Sequence, residues 1–291
     1  MALNGWVVYN GFLPSDKFRD FALMLQEAAH DKNHQLILKR NDEIINNFTD
    51  QYIKKKPDYI LFTDKDIYLA NMLERAGIPL FNNASAIEIS DDKIKTYERL
   101  VENNVPIPKT IVAPKTFGYD IDKDQLPVQH ALRHLGYPLI MKEAFGSFGE
   151  QVYLVHNEDD LHRYLEKING APFVFQQFIA SSFGVDLRLQ VVGNEVVAAM
   201  KRSSQDDFRA NITSGGTMEE YEANDYEKEL AIKATKAIGA HFAGVDLLFG
   251  EGDQRYVCEV NSNGHIRNLL DCTGINVAPY IIEYIEKTLQ S

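Results

Sequence analysis

The sequence is short of several features that mark particular classes of protein. Only two cysteines occur in 291 residues, too few for a disulfide framework or a four-thiolate zinc site. No stretch approaches the ~20 consecutive apolar residues of a membrane span, and the start MALNGWVVYNGF lacks the basic region of a signal peptide. Basic residues are also in deficit, with 30 Lys+Arg against 42 Asp+Glu and a formal charge of −12, which disfavours nucleic-acid and anionic-membrane partners. We therefore expect a cytoplasmic protein that binds small molecules.

Common nucleotide-binding and hydrolase motifs are also missing. The sequence has no GxxxxGK[ST] loop and no GxGxxG turn after its first strand-like segment. It contains neither an HExxH nor a GxSxG pattern. Any nucleotide site must therefore be built in another way.

The composition is that of a globular protein, with 45% hydrophobic residues and enough length for about two domains. In the first ~85 residues, apolar strand-like runs alternate with amphipathic helix-like runs, which predicts a parallel sheet with helices on its faces. The polar connection 82–85 marks the first predicted boundary. This gives an N-terminal α/β domain over residues 1–84 and a second domain over residues 85–291.

The C-terminal third contains a pattern suited to a metal ion. Glu259 and Asn261 are two apart in a strand-like run, so their side chains project from the same face. If that strand pairs with the preceding one through the turn GEGDQ, Asp246 lies across from Glu259. Two carboxylates and an amide oxygen suit Mg²⁺, which completes its shell with water and nucleotide phosphates. The alternative is that the two acids are solvated or paired with lysines.

Two lysines are candidate phosphate ligands. Lys142 ends a strand-like run before the glycine-bearing turn 145–149, where backbone N–H groups can approach an anion closely. Lys93 stands near the start of a helix-like run that we expect Ser90 to cap, and the helix N-terminus also favours an anion. The alternative for both is an ordinary surface lysine.

Two further segments suit a nucleotide. The extended run 176–179 offers backbone groups to a purine, and the following Asp186 offers a carboxylate to a ribose hydroxyl. Arg202 precedes the segment 208–211 and a glycine pair, a combination that could clamp phosphates or an acyl phosphate. The alternatives are a core strand with a solvated acid, and a mobile surface loop.

Taken in order, these segments resemble the ATP-grasp superfamily. More narrowly, they are similar to its RimK-like glutamate-ligase branch, named for the enzyme that modifies ribosomal protein S6, and to the related lysine-biosynthesis ligases. The likeness covers roughly residues 84–285. It rests on five blocks: SDDK, PLIMKEAFGSFG, FQQFI…GVDLR, VVAAMKR…DFRANITSGG and GVDLLF…CEVNSNG.

The resemblance implies an ATP-grasp fold. It implies a Rossmann-like pre-ATP-grasp domain at the N-terminus, an α+β lid subdomain over about residues 110–175 and a catalytic subdomain over about 176–291. The implied nucleotide-binding residues are Lys93, Lys142, Gln177, Phe178, Ile179, Asp186, Arg209 and Asn211; the Mg²⁺ or Mn²⁺ ligands are Asp246, Glu259 and Asn261; Arg202 and Arg209 are the candidate catalytic residues.

The implied activity is that of an ATP-dependent carboxylate–amine ligase. A carboxylate attacks the γ-phosphate of ATP, and an amine then attacks the acyl phosphate to form an amide, which needs no protein nucleophile. The expected substrate is an amino acid, a peptide or a protein C-terminus, and family members imply a homo-oligomer. The alternatives are another ATP-grasp enzyme, such as a dipeptide ligase, and a nucleotide-binding regulator without turnover.

The sequence departs from the family pattern at two places. Gln177 occupies a position where glutamate is usual, which puts a side-chain role there in question. After Asn261 the chain has its own segment, SNGHIRNL, beside the expected acceptor pocket. We expect Arg267 in this segment to bind the carboxylate of an amino-acid substrate. The alternative is a structural ion pair between Arg267 and Asp271.

Overall fold

The computed structural model describes residues 2–13, 15–45, 47, 53, 55–119, 121–147, 149–210 and 215–290. Its first sheet is parallel, with strand order β2-β1-β3-β4. The strands are β1 (Asn4–Tyr9), β2 (Gln35–Arg40), β3 (Tyr59–Phe62) and β4 (Leu80–Phe81), and the helices between them are α1 (Lys17–Asp31) and α2 (Ile67–Arg75). The parallel sheet predicted from alternating strand-like and helix-like runs is confirmed.

The second sheet is antiparallel and carries Lys142. Two helices, α3 (Ala84–Asp91) and α4 (Lys93–Glu102), lead into it from β4. Its strands are β5 (Thr110–Val112), β6 (Leu139–Glu143), β7 (Val152–Val155) and β8 (Phe173–Gln177), in the order β5-β8-β6-β7. Helices α5 (Leu126–Leu135) and α6 (Glu158–Ile168) share an apolar core with this sheet.

The third sheet is antiparallel and carries the acidic residues of the predicted metal site. Its order is β11-β10-β9-β12-β13. The strands are β9 (Val185–Val192), β10 (Glu195–Ser203), β11 (Thr217–Glu220), β12 (Phe242–Phe249) and β13 (Arg255–Asn261), and the helices are α7 (Asp225–Ala237), α8 (Arg267–Thr273) and α9 (Ala278–Gln290). One core joins this sheet to α4 and α7, and a second core joins it to α1, α8 and α9.

The side chain of Asn82 connects the first sheet to the third. It is fully buried at the end of β4. Its Oδ1 accepts hydrogen bonds from the N–H groups of His241 (2.7 Å) and Phe242 (3.3 Å). Its Nδ2 donates to the carbonyl oxygens of Phe242 and Ser262, each at 2.9 Å. One amide thus bonds two separate segments of the third sheet and its following loop.

The helix expected to start at Ser90 starts two residues later. Asp92 has an extended backbone, and its carboxylate accepts hydrogen bonds from the N–H groups of Ile94 (2.9 Å) and Lys95 (3.3 Å). Asp92 is therefore the N-cap of α4, and Ser90 lies near the end of α3. The predicted boundary 84/85 lies at the start of α3, where the Asn83 side chain caps the first turn.

Within the described part of the chain, no helix is both long enough and apolar enough to cross a membrane.

Candidate active site

Four charged side chains, two of them buried and two partly buried, alternate in sign across three neighbouring strands of the third sheet. We call Asp186, Arg188, Arg202 and Asp246 the ionic row. Arg202 donates to both carboxylate oxygens of Asp186, from Nε at 2.7 Å and Nη2 at 2.6 Å. Its Nη2 also lies 2.9 Å from Asp246 Oδ2. Arg188 donates from Nε and Nη2 to the two oxygens of Asp246, the second bond being 2.8 Å long.

The ionic row keeps Asp246 ionised in a buried position. Burial opposes the charge of Asp246, but Arg188 and Arg202 outweigh it and hold the pKa of this carboxyl below its usual range. The two arginines and two aspartates balance in charge, which reduces the cost of their burial. Sequence reasoning missed Arg188, although its position two residues after Asp186 places both on one face of β9.

The predicted metal ligands share this face. Asp246 pairs in register with Glu259 across β12 and β13, and Gly244 pairs with Asn261. Glu259 has no ion-pair partner among the described residues. The Asn261 Nδ2 atom is buried without a hydrogen-bond partner. No group of three His, Cys, Asp or Glu side chains in the described chain forms a metal site, so the amide is needed to complete the set. Two carboxylates and one amide oxygen in this register fit a magnesium-like cation.

Lys142 lies beside these carboxylates and is almost fully buried. Its Nζ is 3.2 Å from the Tyr97 hydroxyl and 3.4 Å from Cys258 Sγ. Burial disfavours the ammonium form, but interactions with Cys258, Tyr97 and Glu259 outweigh it and raise the pKa of Lys142. The alternative of a surface lysine is wrong for this residue.

Lys93 lies at the glycine turn that follows β6. Its Nζ donates to the Gly146 carbonyl at 3.2 Å, and its N–H donates to the Ala144 carbonyl at 2.9 Å. Burial lowers the pKa of Lys93, Glu259 opposes this, and Lys142 lowers the pKa further. The charges of Lys93, Lys142 and Glu259 thus interact with one another at one site. Lys65, which sequence reasoning missed, reaches Ser147 Oγ of the same turn at 3.3 Å.

The segment expected at the adenine and ribose follows β8. The Gln177 N–H donates to the Lys109 carbonyl at 2.8 Å, while Ile179 is buried. Phe178 is half-buried, with its ring 6.4 Å from that of Phe183. Because both oxygens of Asp186 accept bonds from Arg202, a ribose hydroxyl would have to share them.

Arg209 connects the loop after β10 to the glycine turn. Its Nη1 donates to the Gly149 carbonyl at 2.5 Å, and its guanidinium also bonds Asp207 at 2.7 to 3.1 Å. The Asp207 hydrogen bonds raise the pKa of Arg209 against the effect of burial. Arg202 and Arg209 are thus placed differently, the first inside the sheet and the second at the glycine turn. Asn211, the remaining predicted nucleotide ligand, lies outside the described residues.

Arg267 is paired with Asp20, not with Asp271. Its Nε and Nη2 donate to the two carboxylate oxygens of Asp20 at 2.9 and 2.7 Å. These hydrogen bonds lower the pKa of Asp20. The pair joins α8 to α1, a contact that spacing along the chain could not reveal because the partners are 247 residues apart.

Several polar atoms on this side of the sheet are buried without a described partner. They are Gln190 Oε1, Asn261 Nδ2, Asn263 Oδ1 and His265 Nε2. Burial lowers the pKa of His265 to about 4, with Lys17 and Arg188 adding to the effect, so the ring is neutral at pH 7. Burying such atoms without a hydrogen bond costs free energy, unless a ligand or a water molecule supplies the missing hydrogen-bond partner.

Two glycines leave room for the Arg188 guanidinium above β12. A Cβ added at Gly244 would lie 3.1 Å from Arg188 Nη1, and one at Gly264 would lie 3.4 Å from the same atom. Nη1 makes no hydrogen bond within the described part of the chain, because Nε and Nη2 carry the contacts to Asp246. It is therefore an available donor next to the unpartnered polar atoms.

The sequence matches the RimK-like ATP-grasp domain over residues 90–285, which is more than half of the chain. The chain belongs to the RimK-like ATP-grasp family. It is 32% identical over 244 residues to an uncharacterized protein of Mycoplasma pneumoniae, covering 82% of this chain and 84% of the other. It is 33% identical over 221 residues to a probable alpha-L-glutamate ligase of Pasteurella multocida, and the match covers 75% of this chain and 67% of that protein. It is 29% identical over 264 residues to human N-acetylaspartylglutamate synthase A, and the match covers 90% of this chain and 66% of that protein.

The RimK-like fold extends over almost the whole chain. A RimK-domain ATP-grasp protein of Sphaerobacter thermophilus aligns with a TM-score of 0.74 at 21% identity, covering 97% of this chain and 98% of its own. D-alanine–D-alanine ligase of Bacillus anthracis aligns with a TM-score of 0.73 at 20% identity, covering 99% and 98%. The predicted family, the mixed α/β ATP-grasp fold and the class of enzyme, an ATP-grasp ligase, are confirmed.

Proposed function

We propose that this RimK-like protein is an ATP-dependent ligase that joins a carboxylate to the amine of glutamate through an acyl phosphate. The observation that carries the proposal is the arrangement of Glu259. Glu259 faces Asp246 in register and lacks an ion-pair partner in the described chain. The negative charge of its carboxylate favours the charged forms of both Lys93 and Lys142. This combination of anionic and cationic groups suits a metal–nucleotide complex.

The lysines would hold the phosphates of ATP. Lys142 extends from β6 and Lys93 from the start of α4, so the two ammonium groups approach the same place from different elements. Positive charge fixed there offsets the negative charge that develops when the substrate carboxylate attacks the γ-phosphate. Arg209, bonded to the glycine turn, would add a third cation at the lid and keep the turn close to the phosphates.

Asp246, Glu259 and Asn261 would hold the divalent cation, Mg²⁺ or Mn²⁺. When bound, such a cation polarises phosphate oxygens and neutralises their charge. Arg188 and Arg202 fix the carboxylate of Asp246 and keep it ionised. Asp246 Oδ2 accepts from both arginines, but Oδ1 accepts only from Arg188 Nε and retains a lone pair, so metal binding at Oδ1 does not require the ionic row to break.

The acceptor amino acid would bind beside Arg188. Nη1 of this residue offers a donor pair for a carboxylate, and the unpartnered atoms of Gln190, Asn263 and His265 offer polar contacts for the rest of the substrate. Glutamate is the amino acid in the names of the Pasteurella and human relatives. Arg267, our sequence-based choice for this carboxylate, has its guanidinium engaged by Asp20, so Arg188 is the better candidate.

We also propose the division into an N-terminal domain, a lid and a catalytic subdomain. Residues 1–84, about 110–175 and about 176–291 each contain one of the three sheets. The glycine turn after β6 belongs to the lid, which would exclude water from the acyl phosphate. The homo-oligomer and the cytoplasmic location stay predictions.

The proposed chemistry can be tested in two steps. The protein is incubated with ATP, Mg²⁺, glutamate and a pool of carboxylic acids and peptides, and new amides are identified by mass spectrometry. The carboxylate found in the product is then incubated with ATP and hydroxylamine in place of glutamate. We expect the corresponding hydroxamate, because hydroxylamine traps an acyl phosphate.

Lys142→Met is the matched control for both steps, since it removes a proposed phosphate ligand. A product formed without ADP release would contradict the acyl phosphate. An amide that contains another amino acid in preference to glutamate would overturn the assignment of the amine substrate. ATP binding without any product would favour the regulator.

A further inference from the structure

The Lys142 side chain is fixed by groups from two other elements. Tyr97 on α4 accepts a hydrogen bond from Nζ at 3.2 Å, and Cys258 on β13 contributes its Sγ at 3.4 Å. Tyr97 and Cys258 are also bonded to each other, because the tyrosine hydroxyl donates to the Cys258 carbonyl at 3.0 Å. Lys142 is thus attached to α4 and to the strand that carries Glu259.

The hydrogen-bond directions determine where the ammonium group points. A tyrosine hydroxyl has one hydrogen, and Tyr97 gives it to the Cys258 carbonyl, which leaves its lone pairs for Lys142. An ammonium group has three hydrogens, and two are used by Tyr97 and Cys258. The third has no acceptor in the described part of the chain. With two bonds fixed, the direction of the third is fixed as well.

We propose that Tyr97 is a positioning residue that aims Lys142 at the nucleotide phosphates. A lysine side chain has four rotatable bonds and loses much conformational freedom when it binds a ligand. Tyr97 is buried in the core beside Leu100 and removes that freedom before the nucleotide arrives. This inference rests on the proposed phosphate role of Lys142.

The test is a double-mutant cycle on nucleotide binding. The dissociation constants of ATP and adenosine are measured by calorimetry, without other substrates, for the wild type, Tyr97→Phe, Lys142→Met and the double variant. We expect Tyr97→Phe to weaken ATP binding about tenfold, as for loss of a hydrogen bond to a charged group, and to leave adenosine binding unchanged. In the Lys142→Met background, Tyr97→Phe should have no further effect.

Tyr59→Phe is the matched control, because Tyr59 is also fully buried and its hydroxyl has no hydrogen-bond partner. It should bind ATP like the wild type. If Lys142→Met binds ATP normally, the phosphate role itself fails. If Lys142→Met weakens binding and Tyr97→Phe does not, only the positioning role fails.

An equal loss of ATP and adenosine binding in Tyr97→Phe, or a loss that adds to that of Lys142→Met, would show a general structural effect and overturn the inference. If Tyr97→Phe does not fold, Cys258→Ala replaces it in the same cycle. We then expect a smaller loss of ATP binding, about threefold, because a thiol is the weaker hydrogen-bond partner. The same additivity would again count against the inference.

Discussion

Single side chains in the ionic row have very different surroundings from the charged residues on the surface. Asp246 is 5% exposed and accepts bonds from two arginines. Arg163, by contrast, forms a surface pair with Asp160 in which the arginine side chain is 62% exposed. Removing one partner of a buried pair leaves an uncompensated charge, whereas water replaces a surface partner. These two pairs should therefore respond differently to the same substitution.

We expect Arg188→Met to lower the free energy of unfolding by about 3 kcal/mol, because Asp246 loses a bidentate partner. Urea unfolding measures this change. Arg163→Met is the control and should cost less than about 1 kcal/mol. Equal effects of the two variants would show that Arg188 contributes no more than a surface arginine.

Glu259 gives the test of the metal assignment. Glu259→Gln keeps the size of the side chain but removes the charge that faces the proposed cation, so we expect turnover to fall by at least about a hundredfold. Glu251→Gln, on the exposed turn between β12 and β13, is the matched control. Initial rates are measured across a Mg²⁺ titration. Near-normal turnover of Glu259→Gln at saturating Mg²⁺ would contradict the assignment.

At the scale of elements, Arg209 bonds the loop after β10 to the glycine turn after β6. The Gly149 carbonyl is its acceptor, and Asp207 orients the guanidinium. If the turn binds phosphates as proposed, we expect that without this hydrogen bond it samples more open positions and is less often competent to bind them. The Arg209–Gly149 hydrogen bond should therefore affect both the mobility of the turn and the turnover of ATP by the protein.

We expect Arg209→Met to lower kcat/KM for ATP about tenfold and to speed amide hydrogen exchange around residues 145–150. Lys201→Met is the control, because Lys201 lies on β10 and pairs with Glu219 on β11 instead of with the glycine turn. Hydrogen exchange followed by mass spectrometry separates the two effects. Loss of activity with unchanged exchange would assign Arg209 to the nucleotide alone.

Much of the element pattern is predictable because it is local. The spacing of apolar residues fixes β3 and α6 at their observed bounds, and the pair Gly193–Asn194 indicates the turn between β9 and β10. The short elements β5, β11 and α8 were missed, since three to seven residues carry too little periodicity. The helix is capped by Asp92 and not by Ser90. Both residue types favour the N-cap position, and the backbone conformation determines which of them occupies it.

The site was predictable where residues share a strand or a turn. The same-face rule for β-strands predicts that Glu259 and Asn261 act together, and the GEGDQ turn predicts that Asp246 faces Glu259. Partners from distant segments were not predictable. Arg188 with Asp246, Tyr97 with Lys142 and Arg267 with Asp20 are each separated by 45 residues or more. Such pairs depend on how the sheets and helices pack together, and the spacing of residues along the chain does not reveal that packing.

For the whole molecule, the Arg267–Asp20 pair links helix α1 of the N-terminal region to helix α8 beyond the third sheet. Both side chains are partly exposed, so solvent screens the pair and we expect Arg267→Ala to cost about 1 kcal/mol or less. If Arg267 instead binds substrate, the same variant should raise the KM for the amino acid and leave the KM for ATP unchanged. Thermal unfolding and both Michaelis constants distinguish these outcomes.

The contribution of the Arg267–Asp20 pair should depend on pH in one direction. Arg267 lowers the pKa of Asp20 in the folded protein, so the pair stabilises the protein above the unfolded-state pKa of about 3.9. This stabilisation is lost as pH falls through the lower folded-state pKa. We expect the unfolding free energies of wild type and Asp20→Asn to differ at pH 7 and to converge as the pH falls through the lowered folded-state pKa of Asp20. A constant difference over this range would exclude the ion pair as its source.

The four hydrogen bonds of Asn82 have a mechanical consequence. They bind the N-terminal sheet to the start of β12 and to the loop that follows β13, so rotation at the end of β4 would have to break all four together. The second sheet is also joined to the rest of the molecule through buried side chains, since Lys142 on β6 bonds Tyr97 on α4 and Cys258 on β13. Buried side-chain hydrogen bonds therefore join all three sheets, so the described contacts hold them as one frame.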